Sequence, residues 1–153
     1  MTTRGHQNLD SLTPQLGKVC SPCFRRVTNN CKKHFQVSLA AIALREDRHL
    51  RLYYDNAYQR RMLLDDALCG LPLVIPGEQV VIPDLHEVPE EMQPHFAVAL
   101  GMRSYAGVPI FLDEHLVGSL SLADSQPRNF VDDEISYLKK LADWTGDLLK
   151  LHL

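Results

Sequence analysis

Three of the chain's four cysteines and a histidine fall within fifteen residues: Cys20, Cys23, Cys31 and His34 in CSPCFRRVTNNCKKH. Written as C-x2-C-x7-C-x2-H, the set offers the ligand types of a zinc site, and Cys20 and Cys23 have the spacing of a redox pair. The periodicity of the segment argues for something plainer. At 100° per residue, Leu16, Cys20, Cys23, Val27, Cys31 and His34 fall within an arc of roughly 80°, with Phe24 and Phe35 beside it. Lys18, Arg25, Asn29 and Lys32 point the other way. Reduced cysteine behaves as a small hydrophobe, so this is what a core-facing helical stripe looks like. On one helix, Cys23 and Cys31 would stand about 12 Å apart along the axis. Ligands held about 2.3 Å from a single zinc cannot be so far apart. Zinc is not expected, and Ser21-Pro22 reads as a cap and first helical residue.

Elsewhere no acid–base pair, nucleophile beside a base or phosphate-cradling loop stands out, so no catalytic residue is expected. The elements that must position any site follow from patterning. Residues 1–8 read as a frayed tail and 9–153 as one domain. Residues 9–34 read as helical, with a break near Pro14 or Pro22. The apolar QVSLAAIALRE and the alternating RHLRLYYD suit a hairpin. AYQRRMLLDDALCG has helical spacing in Met62, Leu63, Ala67 and Leu68, with Gly70 as a stop. PGEQVVIPD gives a turn and a short strand, and VPEEMQPHFAVALG a broken helical segment. RSYAGVPIFL and HLVGSLSLAD are strands joined at Asp113-Glu114. A long amphipathic helix opens at Asp132, Asp133 and Glu134, which suit its positive end. Hairpin-joined strands with helices packed on them make an α+β layer fold.

Composition sets the outer limits. The 153 residues are 45% hydrophobic and 23% charged, with a net charge of −3. That balance gives no general attraction to nucleic acid or to anionic lipid. No apolar run approaches the roughly 18 residues that span a bilayer. The start, MTTRGHQNLD, lacks a secretory signal's apolar stretch, so a cytoplasmic location with reduced cysteines is expected.

From LLDDALCGLPLVIPGEQVVIPDL to GMRSYAGVPIFLDEHLVGSLSLADSQPRNFVDDEISYLKKLA, the sequence resembles the GAF domain family of small-molecule sensory modules. The likeness covers roughly residues 10–150: an LCG helix end, a VVIPD strand, the RSYAGVPI strand, a hairpin into VGSLSLAD and an F-x-DDE helix start. It implies a GAF/PAS-like antiparallel sheet of about six strands. The terminal helices would lie on one face and a ligand pocket on the other. The implied floor is Leu52 to Asp55 with Tyr105 to Pro109, and the lid is residues 57–100. Pocket candidates are Tyr54, Asp84, His86, Arg103, Tyr105 and Asp124. Asp84, after VVIP, also suits a turn. Tyr105 shares a face with Arg103 and either lines the pocket or fills the core.

No cofactor is assigned. Phe130, Asp133 and Glu134 resemble half of the NKFDE signature of cyclic nucleotide-binding members, but the Asn-Lys pair is missing near Ala123-Asp124-Ser125. Bilin-binding members carry a lid cysteine, and this lid has none after Cys69, so covalent bilin is not expected. Haem would need His86 or His95 as an axial ligand, and histidines beside acidic residues, as in LHEVPEE, are more often solvent-facing.

In the last helix, Leu141, Trp144, Leu148, Leu151 and Leu153 widen the apolar face beyond what covering a sheet requires. With Val27 and Cys31 of the first helix, Leu138, Leu141, Trp144 and Leu148 are the expected homodimer face, as the family resemblance also implies. The expectation is a sensory module that couples a small-molecule pocket to this interface and acts on an output domain or kinase, in trans or within a longer protein. Two alternatives stand beside it. One is a redox enzyme of the free methionine sulfoxide reductase type, for which only Cys69 is near the pocket. The other is a dimerisation scaffold without ligand.

Overall fold

The first helix does not stop at its prolines. In the computed structural model, which describes residues 2–54, 58–64, 67–74, 79–93 and 101–153, α1 runs from Thr2 to Phe35 through Pro14 and Pro22. It starts within the stretch read as a frayed tail, and Ser21-Pro22 is not a cap. An interior proline costs about 3 kcal/mol through its missing N–H and its clash with the preceding turn. Burial of Leu16, Cys20, Phe24, Val27, Cys31 and Phe35 along one stripe offsets that cost, at about 1.5–3 kcal/mol for each large side chain. The stripe is the predicted one, except that Cys23 is half-buried and His34 is exposed.

The two hairpins form as their alternation predicts. Strands β1 (Leu39–Glu46) and β2 (His49–Tyr54) pair antiparallel. So do β5 (Ser104–Leu112) and β6 (His115–Asp124). Each turn places an aspartate at positive φ, Asp47 at 59° and Asp113 at 55°. Aspartate tolerates that region through local hydrogen bonding.

The described residues 58–64 and 67–70 depart from their helical expectation. Tyr58–Leu63 is an edge strand, β3, in register with β2. Four apolar residues at helical spacing are too few to outweigh a free sheet edge that pairs the backbone. Charge helps to set that edge. Arg51 and Arg61 face each other across β2 and β3, and the buried Glu46 lies 2.6 Å from Arg51 Nε and 3.7 Å from Arg61 Nε. The LCG segment, Leu68–Gly70, is a 3-10 turn. It runs into the short helix α2 (Leu71–Val74), so Gly70 does not end a helix. Strand β4 is Val80–Ile82, and α3 spans Asp132–Leu151.

The six strands form one antiparallel sheet in the order β3-β2-β1-β6-β5-β4. Helix α1 covers β1 and β2, and α3 covers β5, on one face. Ile42, Leu44, Tyr53, Ala106, Val108, Ile110, Leu120 and Leu122 point into that main core. The other face carries a thinner apolar layer: Ala41, Ala43, Leu50 and Leu52 under Ala67, Cys69 and Leu73, and Tyr105 with Leu68 and Leu85. The expected two-sided architecture is therefore present.

Candidate functional site

The face away from the helices is built from small side chains. Alternation sends Ala41 and Ala43 of β1, Gly107 of β5 and Ser119, Ser121 and Ala123 of β6 to this side. Small residues at alternate strand positions leave a shallow floor, a pattern already present in AAIAL, YAGV and SLSLA. The turn and α2 close over it. Ser119 Oγ donates to the Cys69 carbonyl at 2.7 Å, which pins the LCG turn to the floor. Among the described residues a cavity of ≈ 30 Å³ remains, lined by Ala41, Leu52, Leu68, Cys69, Met102, Tyr105, Ser121 and their neighbours. That is room for about two water molecules.

Tyr105 explains why so little space is left. Its side chain is 0% exposed, and its hydroxyl lies 2.7 Å from Ser121 Oγ. Gly107 makes this possible: a Cβ there would overlap Tyr105 Oη and stand 3.0 Å from Pro72 Cγ. The phenol therefore lies across the floor beneath α2. It packs in the core with Leu68 and Leu85 and also lines the cavity. Burial holds the phenol well above its usual pKa, and nearby Cys69 adds to the effect. Burial likewise pushes the Cys69 thiol up to about 11, against a smaller opposing hydrogen bond from Ser121.

The other pocket candidates separate from Tyr105. Asp84 and Arg103, neither of which lines the cavity, meet in a bidentate pair, Nε to Oδ1 at 3.0 Å and Nη2 to Oδ2 at 2.7 Å. Asp84 also accepts the His86 amide at 3.0 Å and so fixes the turn, as its position after VVIP suggested. The Arg103 hydrogen bond, followed by the His86 amide, holds the Asp84 carboxyl below its usual range. His86 itself is exposed. Asp124 lies away from the cavity, with Oδ1 accepting Ser38 Oγ at 2.5 Å and the Ser38 amide at 2.8 Å. Burial alone would raise its pKa, but the Ser38 and Gln126 hydrogen bonds outweigh that and lower it. Tyr54 packs half-buried at the edge of the layer over β2. Asp55, His95 and, of the expected lid 57–100, residues 57, 65–66, 75–78 and 94–100 lie outside the described residues.

Residues 21–148 match the sequence profile of the GAF domain. The chain belongs to the GAF domain family. No curated protein sequence matches at a significant level, but solved GAF structures do. The blue-light absorbing form of the Thermosynechococcus elongatus PixJ GAF domain aligns with TM-score 0.72 at 16% identity, covering 88% of each chain. A free methionine-R-sulfoxide reductase from Neisseria meningitidis, in complex with its substrate, aligns with TM-score 0.65 at 22% identity, over 90% of this chain and 83% of that one. The GAF domain of an Acinetobacter phosphoenolpyruvate-protein phosphotransferase aligns with TM-score 0.67 at 17% identity, over 82% of this chain and 78% of that one. The fold is thus shared by sensory domains and by an enzyme.

Within this GAF domain the helical surface divides differently from the expected dimer face. Val27, Cys31 and Leu138 are buried in the main core and are not available to a partner. A stripe three or four residues apart faces its own sheet first, which sequence spacing does not distinguish from an outward face. Leu141 and Leu148 are half-buried against that core, while Trp144 is 51% exposed and Leu151 and Val19 are exposed. The helices meet where Asn30 Nδ2 donates to Tyr137 Oη at 3.1 Å and the His34 ring packs on Tyr137.

Among the described residues no helix is long and apolar enough to cross a membrane. No group of three or more His, Cys, Asp or Glu among them is placed to hold a metal ion. For Asp84→Ala the expected outcome is faster hydrogen exchange at the His86 amide, with the global unfolding midpoint nearly unchanged. Amide exchange followed by mass spectrometry checks this. A global loss of protection would mean that Asp84 supports the whole fold.

Proposed function

We propose that this GAF domain is a regulatory module in which a small molecule entering between the β1/β5/β6 floor and the LCG turn changes how α1 and α3 associate with a second copy. One observation carries this. The buried Tyr105–Ser121 pair sits on β5 and β6, and the intervening residues Ala106, Val108, Leu120 and Leu122 form the core under the helices. A side chain cannot leave the floor without strain on the strands that carry it, because packed cores repack in steps rather than deform smoothly. Ligand binding then acts as a population shift between two arrangements of the sheet.

The exposed apolar side chains Val19 on α1 and Trp144 and Leu151 on α3 support self-association. Trp is a residue type that anchors interfaces. Thiol reduction has less in its favour. Cys69 is buried with a raised pKa, and Cys20, Cys23 and Cys31 all lie on α1, across the sheet. A thiol without a resolving partner cannot complete that chemistry.

The experiment is sedimentation equilibrium of wild type and Trp144→Ser. A wild-type dimer that Trp144→Ser weakens by about tenfold or more is expected. A monomeric wild type at high micromolar concentration would overturn the coupling.

A further inference from the structure

The floor, the LCG turn with α2, and Tyr105 together assign the chemistry of the ligand, taking the cavity proposed above as the sensory site. We propose that Tyr105 is the pocket's built-in occupant, and that the molecule displacing it is uncharged, about the size of one ring, and carries a single hydrogen-bonding group.

The ring occupies space that the rest of the site leaves free. Gly107 lacks a side chain where Tyr105 Oη lies, and Pro72 closes from above. Ala41, Ser121 and Ala123 line the same space with small groups. The ≈ 30 Å³ that remains cannot take a ring, but the volume of the phenol added to it can. Among the described residues, what holds the phenol at its polar end is the contact to Ser121 Oγ at 2.7 Å. A hydroxyl has one donor and two acceptor sites, so Ser121 serves a ligand hydroxyl or carbonyl equally well.

The described lining offers an ion no partner. Among the described residues, every side chain bordering the cavity is uncharged. Two residues before Tyr105, Arg103 does not line the cavity, and its Nε and Nη2 are both bonded to Asp84. An ion entering would lose its hydration without a partner, whereas a neutral polar group exchanges water for Ser121 at small net cost.

The test is methyl NMR of the full chain, following Ala41, Ala123 and Met102 during titration with phenol, benzoate and benzylammonium. Saturable shifts with phenol are expected, and binding of both ions should be weaker by about tenfold or more. Tyr105→Phe, which keeps the ring but removes its bond to Ser121, should bind phenol about fivefold more tightly. Equal binding of an ion at these methyls would overturn the ligand class and leave the sensory pocket standing. Phenol binding that Tyr105→Phe leaves unchanged or weakens would overturn the displacement. Silence of these methyls to all three probes would overturn both the inference and the pocket.

Discussion

Leu138→Ala is expected to lower the unfolding free energy by about 2–5 kcal/mol while leaving self-association as it is in wild type. The side chain is 0% exposed and lies with Ile135, Ala142 and Leu149 along the face of α3 that enters the main core. Truncation removes apolar atoms and leaves a hole, and a close-packed interior relaxes into such holes only in part. Urea denaturation should show a lower midpoint with an unchanged slope, the mark of a stability change without altered compactness. Trp144→Ser, six residues along the same helix, should do the opposite. Because its side chain is exposed, folding stability should change by about 0.5 kcal/mol or less, and the effect should fall on association. Dissociation by Leu138→Ala at unchanged stability would reverse the two faces.

That contrast shows where sequence stops being informative. A helical stripe reveals which residues share a direction, and the stripes of α1 and α3 were legible apart from Cys23 and His34 at the margin of the first. It does not reveal whether that direction meets the protein's own sheet or a second chain. Val27, Cys31 and Leu138 were therefore grouped with Trp144, although only Trp144 of the four is exposed. The hairpins were legible because alternation is a local property that the sheet reinforces. Strand β3 was not, since Met62, Leu63, Ala67 and Leu68 fit helical spacing and the pairing that decides the matter is with β2. At Pro14 and Pro22 a sound local rule was overridden by burial elsewhere along the helix. The site shows the same division. Asp84 was readable as a turn residue from its immediate neighbours, while Asp124 is tied to Ser38, 86 positions away. Ser121 is not distinguished by sequence, because serine among Gly, Leu and Ala reads as strand filler until Tyr105 is placed over it.

Raising the pH above about 9 is expected to destabilise the fold steeply, because burial keeps several weak acids protonated in the native state alone. Cys69 is pushed from 9.0 to about 11, and Cys31 from 9.0 to about 12. Burial likewise takes Tyr53 from 10.0 to about 12, and Tyr105 is raised as well. In the unfolded chain the thiols lose protons from pH 9 and the phenols from pH 10. Between those values and the native ones the folded state binds more protons, so stability falls as pH rises. Below about pH 9 the contribution is complete and flat. Each such group takes about 1.4 kcal/mol per pH unit across its window, so Cys69 alone removes about 3 kcal/mol by pH 11. With Cys31 and Tyr53 the loss reaches a large part of the 5–15 kcal/mol typical of a domain. Urea midpoints at pH 8, 9, 10 and 10.5 should show a plateau followed by a fall. Cys31→Ala should reduce the slope of that fall by about one proton, whatever its own cost at neutral pH. A flat profile to pH 10.5 would mean that these groups ionise in place, with water reaching the core and the floor of the pocket. Tyr105 would then be no plug, and the small cavity beneath the LCG turn would already be open.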